Sequence, residues 1–68
     1  MVARLRRMLS AIHVAEELAE LESVPGWRLH PLKGDLKGFW SLSVSGNWRL
    51  VFKWDNGTAT DLDLVDYH

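Results

Sequence analysis

With 68 residues and no cysteine, the chain has room for one small domain and cannot build a disulfide framework or a thiolate metal site. A net charge of −1 argues against a sequence-blind nucleic-acid coat, and no apolar run approaches membrane-spanning length. The N-terminal "MVARLRRMLSAIHVAEELAELE" lacks the apolar core of a signal peptide, so the expected compartment is the cytoplasm.

The near-neutral total hides a division. Residues 26–53 carry Arg28, Lys33, Lys37, Arg49 and Lys53 against Asp35 alone, whereas residues 54–68 carry Asp55, Asp61, Asp63 and Asp66 with no Lys or Arg. A local phosphate-binding patch is therefore compatible with the charge balance. A chain this short buries a limited share of its surface. Its reinforcement is aromatic: four Trp, two Phe and one Tyr, all from residue 27 onward.

In chain order, the first element reads as a helix over about 2–20. Leu5, Met8, Leu9, Ile12 and Ala15 recur at helical spacing, with no Gly or Pro among them. Glu16, Glu17, Glu20 and Glu22 gather near its end, where the helix dipole disfavours them, so a break between His13 and Glu17 is expected, followed by a short turn. "SVPGW" stops the helix. Strands are expected at about 27–31, 38–45, 48–54 and 59–66, the first confined to an edge or a strand end by Pro31. "KGDLKG" is a loop, "GN" a turn, and "DNG" a hairpin turn whose Asn and Gly tolerate positive φ. Alternation puts Trp40, Leu42, Val44, Trp48, Leu50, Phe52, Trp54, Leu62 and Leu64 on one face, and Ser41, Ser43, Ser45, Arg49, Val51, Lys53, Asp61, Asp63 and Val65 on the other. The fold class is α+β: an N-terminal helix packed on a three- to four-stranded antiparallel sheet, one domain over 1–68.

The polar face, with His30 adjoining in a register the sequence leaves open, has two readings. It is the solvated side of a two-layer domain, the commoner case, or a shallow anion-binding surface. Histidine exchanges protons near neutral pH, and Lys and Arg stabilise charge on phosphate oxygens. Two histidines, His30 and His68, in the company of Lys33 and Arg49 form a minimal kit for metal-independent RNA cleavage. Arg28, Lys37 and Lys53 complete the cations available to hold a substrate. His13 lies on the helix and is expected to face solvent. No metal-ligand spacing such as H-E-x-x-H and no P-loop pattern is present, so no metal or cofactor is expected.

Three motifs, "LHPLKGD", "SVSGNWR" and the terminal "DYH", stand in an order and at separations that resemble the C-terminal part of HigB-type killer toxins of the RelE superfamily. The likeness runs from about Trp27 to His68, and "VARLRRMLSAI" is similar to the family's second helix. The resemblance implies a ribosome-dependent mRNA endonuclease that uses the ribose 2′-hydroxyl as nucleophile without metal. It implies a helix-turn-helix antitoxin of HigA type as partner, besides ribosome and mRNA. By motif position it places His30, Lys33, Arg49, Asp66, Tyr67 and His68 in the catalytic group. His30 and His68 would be the proton-transfer pair, and Lys33 and Arg49 the electrostatic stabilisers, Arg49 at the scissile phosphate. Asp66 would orient a neighbour, and Tyr67 would position a base or phosphate. Family members begin with a strand and a first helix, and this chain starts at the second. An unpaired sheet edge and a partly bare apolar face are thus expected, favouring a homo-oligomer or an antitoxin complex. The alternative readings are a shortened, inactive relative that still binds antitoxin or itself, and a structural module whose polar face does no chemistry.

Overall fold

The computed structural model describes residues 1–67; His68, one of the expected catalytic residues, lies outside the described residues. Two helices, α1 (Val2–Val14) and α2 (Leu18–Glu22), precede four strands. These are β1 (His30–Pro31), β2 (Phe39–Ser45), β3 (Trp48–Asp55) and β4 (Thr58–Asp66), joined as an antiparallel meander in the order β1-β2-β3-β4.

The break in the helical segment falls where the acidic run begins. Ala15 is extended (φ −66°, ψ 136°), as is Glu17 (φ −139°, ψ 147°), and the helix restarts at Leu18. The segment expected over 2–20, with its break between His13 and Glu17, is two helices, the second a helix and not only a turn. The glutamates do not crowd the end of one helix but open the next. The Glu20 carboxylate accepts the amides of Glu16 and Glu17 at 2.7 and 2.9 Å, satisfying donors at a positive helix end.

Met8 and Ile12, one turn apart on α1, pack with Ala15 and Leu21 against Leu42, Val44, Leu50 and Phe52 of the sheet. Of the four tryptophans only Trp27 is buried. Trp40 and Trp54 border the core, and Trp48 is 36% exposed. The β3–β4 hairpin turns on Asn56 and Gly57, both left-handed (φ 50° and 77°), which is the type I′ geometry that matches strand twist.

Three irregularities interrupt the expected alternation, one of them a register shift between β2 and β3 where Ser43 faces Arg49 but Ser45 faces Trp48. Between β3 and β4 the register runs Val51↔Asp63 and then Lys53↔Thr60, so Asp61 and Leu62 together oppose Phe52. Asp61 takes φ 53°, and the bulge leaves Leu62 42% exposed at the sheet's outer edge rather than in the core. The strand expected over 27–31 keeps regular pairing only at His30 and Pro31. The Ser43 amide, which an unbroken ladder aims at the Arg28 carbonyl, donates instead to Trp27 at 2.8 Å, and Arg28 is left-handed with φ 53°. The chain carries one extra residue there.

Candidate active site

In an antiparallel sheet, directly opposed residues share a face. His30 pairs with Ser41, Ser41 with Val51, and Val51 with Asp63. That row crosses all four strands on the side away from the helices. The adjacent row is Ser43, Arg49 and Val65, and on the other side of the His30 row stand Phe39 and Lys53. Register, which alternation alone leaves open, thus places His30 on the same face as Arg49. Ordinary strand geometry separates their Cα atoms by about 10 Å across the sheet and about 7 Å along it. Two long side chains can bracket a ligand over such a gap.

Arg49 is half-buried and held at the β2–β3 turn. Its Nη1 donates to the Gly46 carbonyl at 2.9 Å and to the Trp48 carbonyl at 3.1 Å. Nη2 and Nε make no hydrogen bond among the described residues, so the guanidinium keeps donors for an anion. Asp66 stands opposite Trp48, the residue before Arg49, and the Tyr67 amide donates to the Asn47 carbonyl at 2.8 Å. The C-terminal tail is thereby fastened as far as Tyr67, beside Arg49. Exposed termini usually fray, and this one is tied by backbone pairing.

The remaining cations are dispersed. Lys33 and Lys37 flank the short 3-10 turn Gly34–Leu36 in the β1–β2 loop, both exposed, with Lys33 three residues beyond His30. Lys53 is four residues from Arg49 along β3. Its ammonium lies 3.8 Å from Asp61 and 5.2 Å from the Phe39 ring centroid, at half exposure. An ion pair so solvated contributes little to stability. The exposed Arg28 belongs to the bulge beside His30. Among the described residues no three His, Asp or Glu side chains converge as a metal site requires. His13 is exposed on α1 and lines an apolar cleft of about 240 Å³ with Leu9, Ile12, Ala59 and Leu62, on the helix side of the sheet.

Two features of this face escape sequence reasoning. Ser41, expected to be solvated, is fully buried between larger neighbours, and its hydroxyl has no hydrogen-bond partner. The His30 Nδ1–H donates to the Arg28 carbonyl oxygen at 2.9 Å. No pattern in the sequence announces either, because each depends on the cross-strand register.

A sheet covered by helices on one side, with His30 and Arg49 on the other and the C-terminal tail tied alongside, is an α+β domain of RelE-like layout. The chain belongs to the HigB-like toxin family: the model for the RelE-like toxin of the type II toxin-antitoxin system HigB matches residues 1–68. Over 67 residues, 98% of this chain, it is 46% identical to Endoribonuclease HigB of Proteus vulgaris and covers 72% of that protein. Over 58 residues, 85% of this chain, it is 38% identical to Toxin HigB-1 of Vibrio cholerae serotype O1, of which it covers 61%. Family membership implies an antitoxin as partner. No helix among the described residues is long and apolar enough to cross a membrane.

Proposed function

We propose that this chain is the toxin of a type II toxin-antitoxin pair and acts as a ribosome-dependent mRNA endonuclease. The observation that carries the reading is the meeting of His30 and Arg49 on one sheet face, with the tail tied beside Arg49 as far as Tyr67 and Asp66 paired to Trp48 on the opposite face, in a chain 46% identical to a named endoribonuclease. In the proposed reaction a histidine takes the proton of the ribose 2′-hydroxyl. The 2′-oxygen attacks the adjacent phosphorus, and the bond from phosphorus to the 5′-oxygen breaks. A proton delivered to that oxygen releases a 5′-hydroxyl end and leaves a 2′,3′-cyclic phosphate. His30 and His68 are the proton-transfer pair. Arg49 and Lys33 stabilise the charge gathering on the phosphate oxygens, where a positioned donor is worth about a hundredfold or more in rate. Asp66 orients a neighbouring group, and Tyr67 positions a base or phosphate. Arg28, Lys37 and Lys53 hold the flanking backbone, and the partner that silences the toxin is a HigA-type helix-turn-helix antitoxin acting in the cytoplasm.

Programmed ribosomes carrying a defined mRNA in the A site test this. The wild type is expected to cut within the A-site codon and to leave free mRNA intact, whereas His68→Ala and Arg49→Ala leave both intact. Cutting by both variants at the parental rate refutes the site assignment, and no ribosome-dependent cut by the wild type refutes the activity.

A second reading has its own observation. Strand β4 is a sheet edge of nine residues with Leu62 exposed beside exposed Leu9, a surface suited to association. On that reading the chain is an inactive interaction module that binds antitoxin or a second copy of itself. It predicts complex or oligomer formation without any mRNA cut.

A further inference from the structure

We propose that the bulge at Arg28 is a positioning device that fixes the tautomer of His30 and makes it the proton acceptor of the pair. The inference rests on the endonuclease reading and assigns a direction that this reading leaves open.

The backbone around His30 is built in three steps. In the register set by His30↔Ser41 and by the Leu32 amide bonded to Phe39 (2.9 Å), residue 28 is due opposite Ser43. An unbroken ladder would consume the Arg28 carbonyl on the Ser43 amide. The Ser43 amide goes to Trp27 instead, so Arg28 is the extra residue and its carbonyl is released from the sheet. That carbonyl is then taken up by the ring of His30, two residues on, at 2.9 Å.

The chemistry of this contact has one solution. A carbonyl oxygen only accepts, so Nδ1 of His30 must carry the proton. In the neutral ring, Nε2 is then the bare nitrogen with its lone pair outward. A ring so held takes a proton at Nε2 and cannot give one there until it has done so. The free histidine side chain favours the opposite tautomer, so the Arg28 carbonyl is selecting the reactive form. With its ring neutral, His30 receives the 2′-hydroxyl proton at Nε2, and the proton for the departing 5′-oxygen comes from the other member of the pair, His68.

The bulge has a conformational cost that points the same way. A left-handed backbone is unfavourable for a side chain such as arginine, and sheet bulges with such strain concentrate beside functional groups. Glycine or asparagine would hold the same turn with less strain. Pro31 adds to the effect, because a residue before proline is confined to extended conformations, which holds the His30 backbone in the strand.

The test reads the tautomer directly. Nitrogen-15 imidazole spectra of the full chain, recorded where the ring is neutral and assigned by loss of signals in His30→Asn, should show a protonated Nδ1 and a bare Nε2. The reverse pattern overturns the proposal whatever the activity. Arg28→Gly and Arg28→Val both lack the guanidinium, so any substrate contact it makes cancels between them. Glycine accepts the left-handed backbone and valine does not. Arg28→Gly should keep the Nδ1–H form, and Arg28→Val should lose it and cut RNA about tenfold more slowly than Arg28→Gly, the size of the left-handed penalty. Equal rates, with both chains folded, also overturn it. A wild type that cuts but shows the reverse tautomer refutes only this inference. One that shows the expected tautomer but never cuts refutes the endonuclease reading and leaves the positioning contact standing.

Discussion

Replacing Arg49 by alanine separates what the residue does for the fold from what it does for the reaction. In the free protein its Nη1 holds the carbonyls of Gly46 and Trp48 across the β2–β3 turn. Hydrogen bonds from charged donors are worth about 1.5–3 kcal/mol at best, and both of these lie in an exposed turn, so the loss should be about 1 kcal/mol. For a domain of this size that lowers the melting temperature by about 4–8 °C. Loss of a guanidinium aimed at developing phosphate charge costs about 10²–10³ in rate, equivalent to about 3–4 kcal/mol. The variant should therefore be mostly folded at 25 °C and nearly inert. Thermal unfolding followed by circular dichroism gives the first quantity, and single-turnover cleavage on programmed ribosomes gives the second. Arg49→Lys sharpens the comparison, because it keeps the charge and loses the planar fork. It should regain only part of the rate. A cleavage loss no larger than the stability loss, or full activity in Arg49→Lys, would refute the assignment of Arg49 to the phosphate.

The other predictions divide between fold and site. Glu20→Ala leaves the amides of Glu16 and Glu17 without their acceptor and should cost about 1 kcal/mol, while Glu20→Gln, which can still cap, should cost less; denaturant titration decides. Gly57→Ala adds a Cβ at a left-handed residue, 3.3 Å from the Glu16 carbonyl oxygen, and should destabilise by about 1–2 kcal/mol. Asn56→Gly in the same turn should be close to neutral, and similar losses in the two would show that turn conformation is not the cause. His30→Asn keeps a donor for the Arg28 carbonyl but has no proton-accepting ring. It should melt within about 0.5 kcal/mol of the parent and cut at least about a hundredfold more slowly, and retained cleavage would remove His30 from the chemistry.

The parts of the fold that sequence reveals are those written in periodic patterns. Met8 and Ile12 at helical spacing, and the alternation from Phe39 to Trp54, predict the helix and the central hairpin that the structure contains. "DNG" predicts the final turn because only certain residues accept its two positive φ angles. What patterns cannot show is a slip of one residue. The bulges at Arg28 and Asp61 sit on residues with no intrinsic preference strong enough to mark them, and each breaks a period-two reading. That is why Leu62 leaves the core and why β1 shrinks to two residues. The acidic run marks the break and a short turn after it, but not that the turn is capped as a helix: Glu20 acts through two backbone amides behind it, which no hydropathy pattern records. At the site, residue types and motif spacing single out His30 and Arg49, but their shared face follows from register alone.

The same register explains how so short an edge strand can hold His30 in place. Two residues of ladder cannot fix β1, and one of them, Pro31, has no amide to donate. The segment is fastened at its flanks instead. Beyond Pro31 the Leu32 amide bonds to Phe39, and before Arg28 the Trp27 carbonyl accepts from Ser43 while its indole is buried in the core. Arg4 adds a third tie. It sits in the first turn of α1, where the helix dipole disfavours a cation, so its placement calls for a tertiary reason. That reason is its Nη2, which donates to the Gly26 carbonyl at 2.9 Å and to the Ser43 carbonyl at 3.4 Å. Those two residues bracket the bulge, one just before it in the chain and one across the ladder from it. The helix layer therefore grips the very backbone that releases the Arg28 carbonyl toward His30. The covering helix and the open face are parts of one mechanism: the first holds the strand, the strand holds the bulge, and the bulge holds the ring.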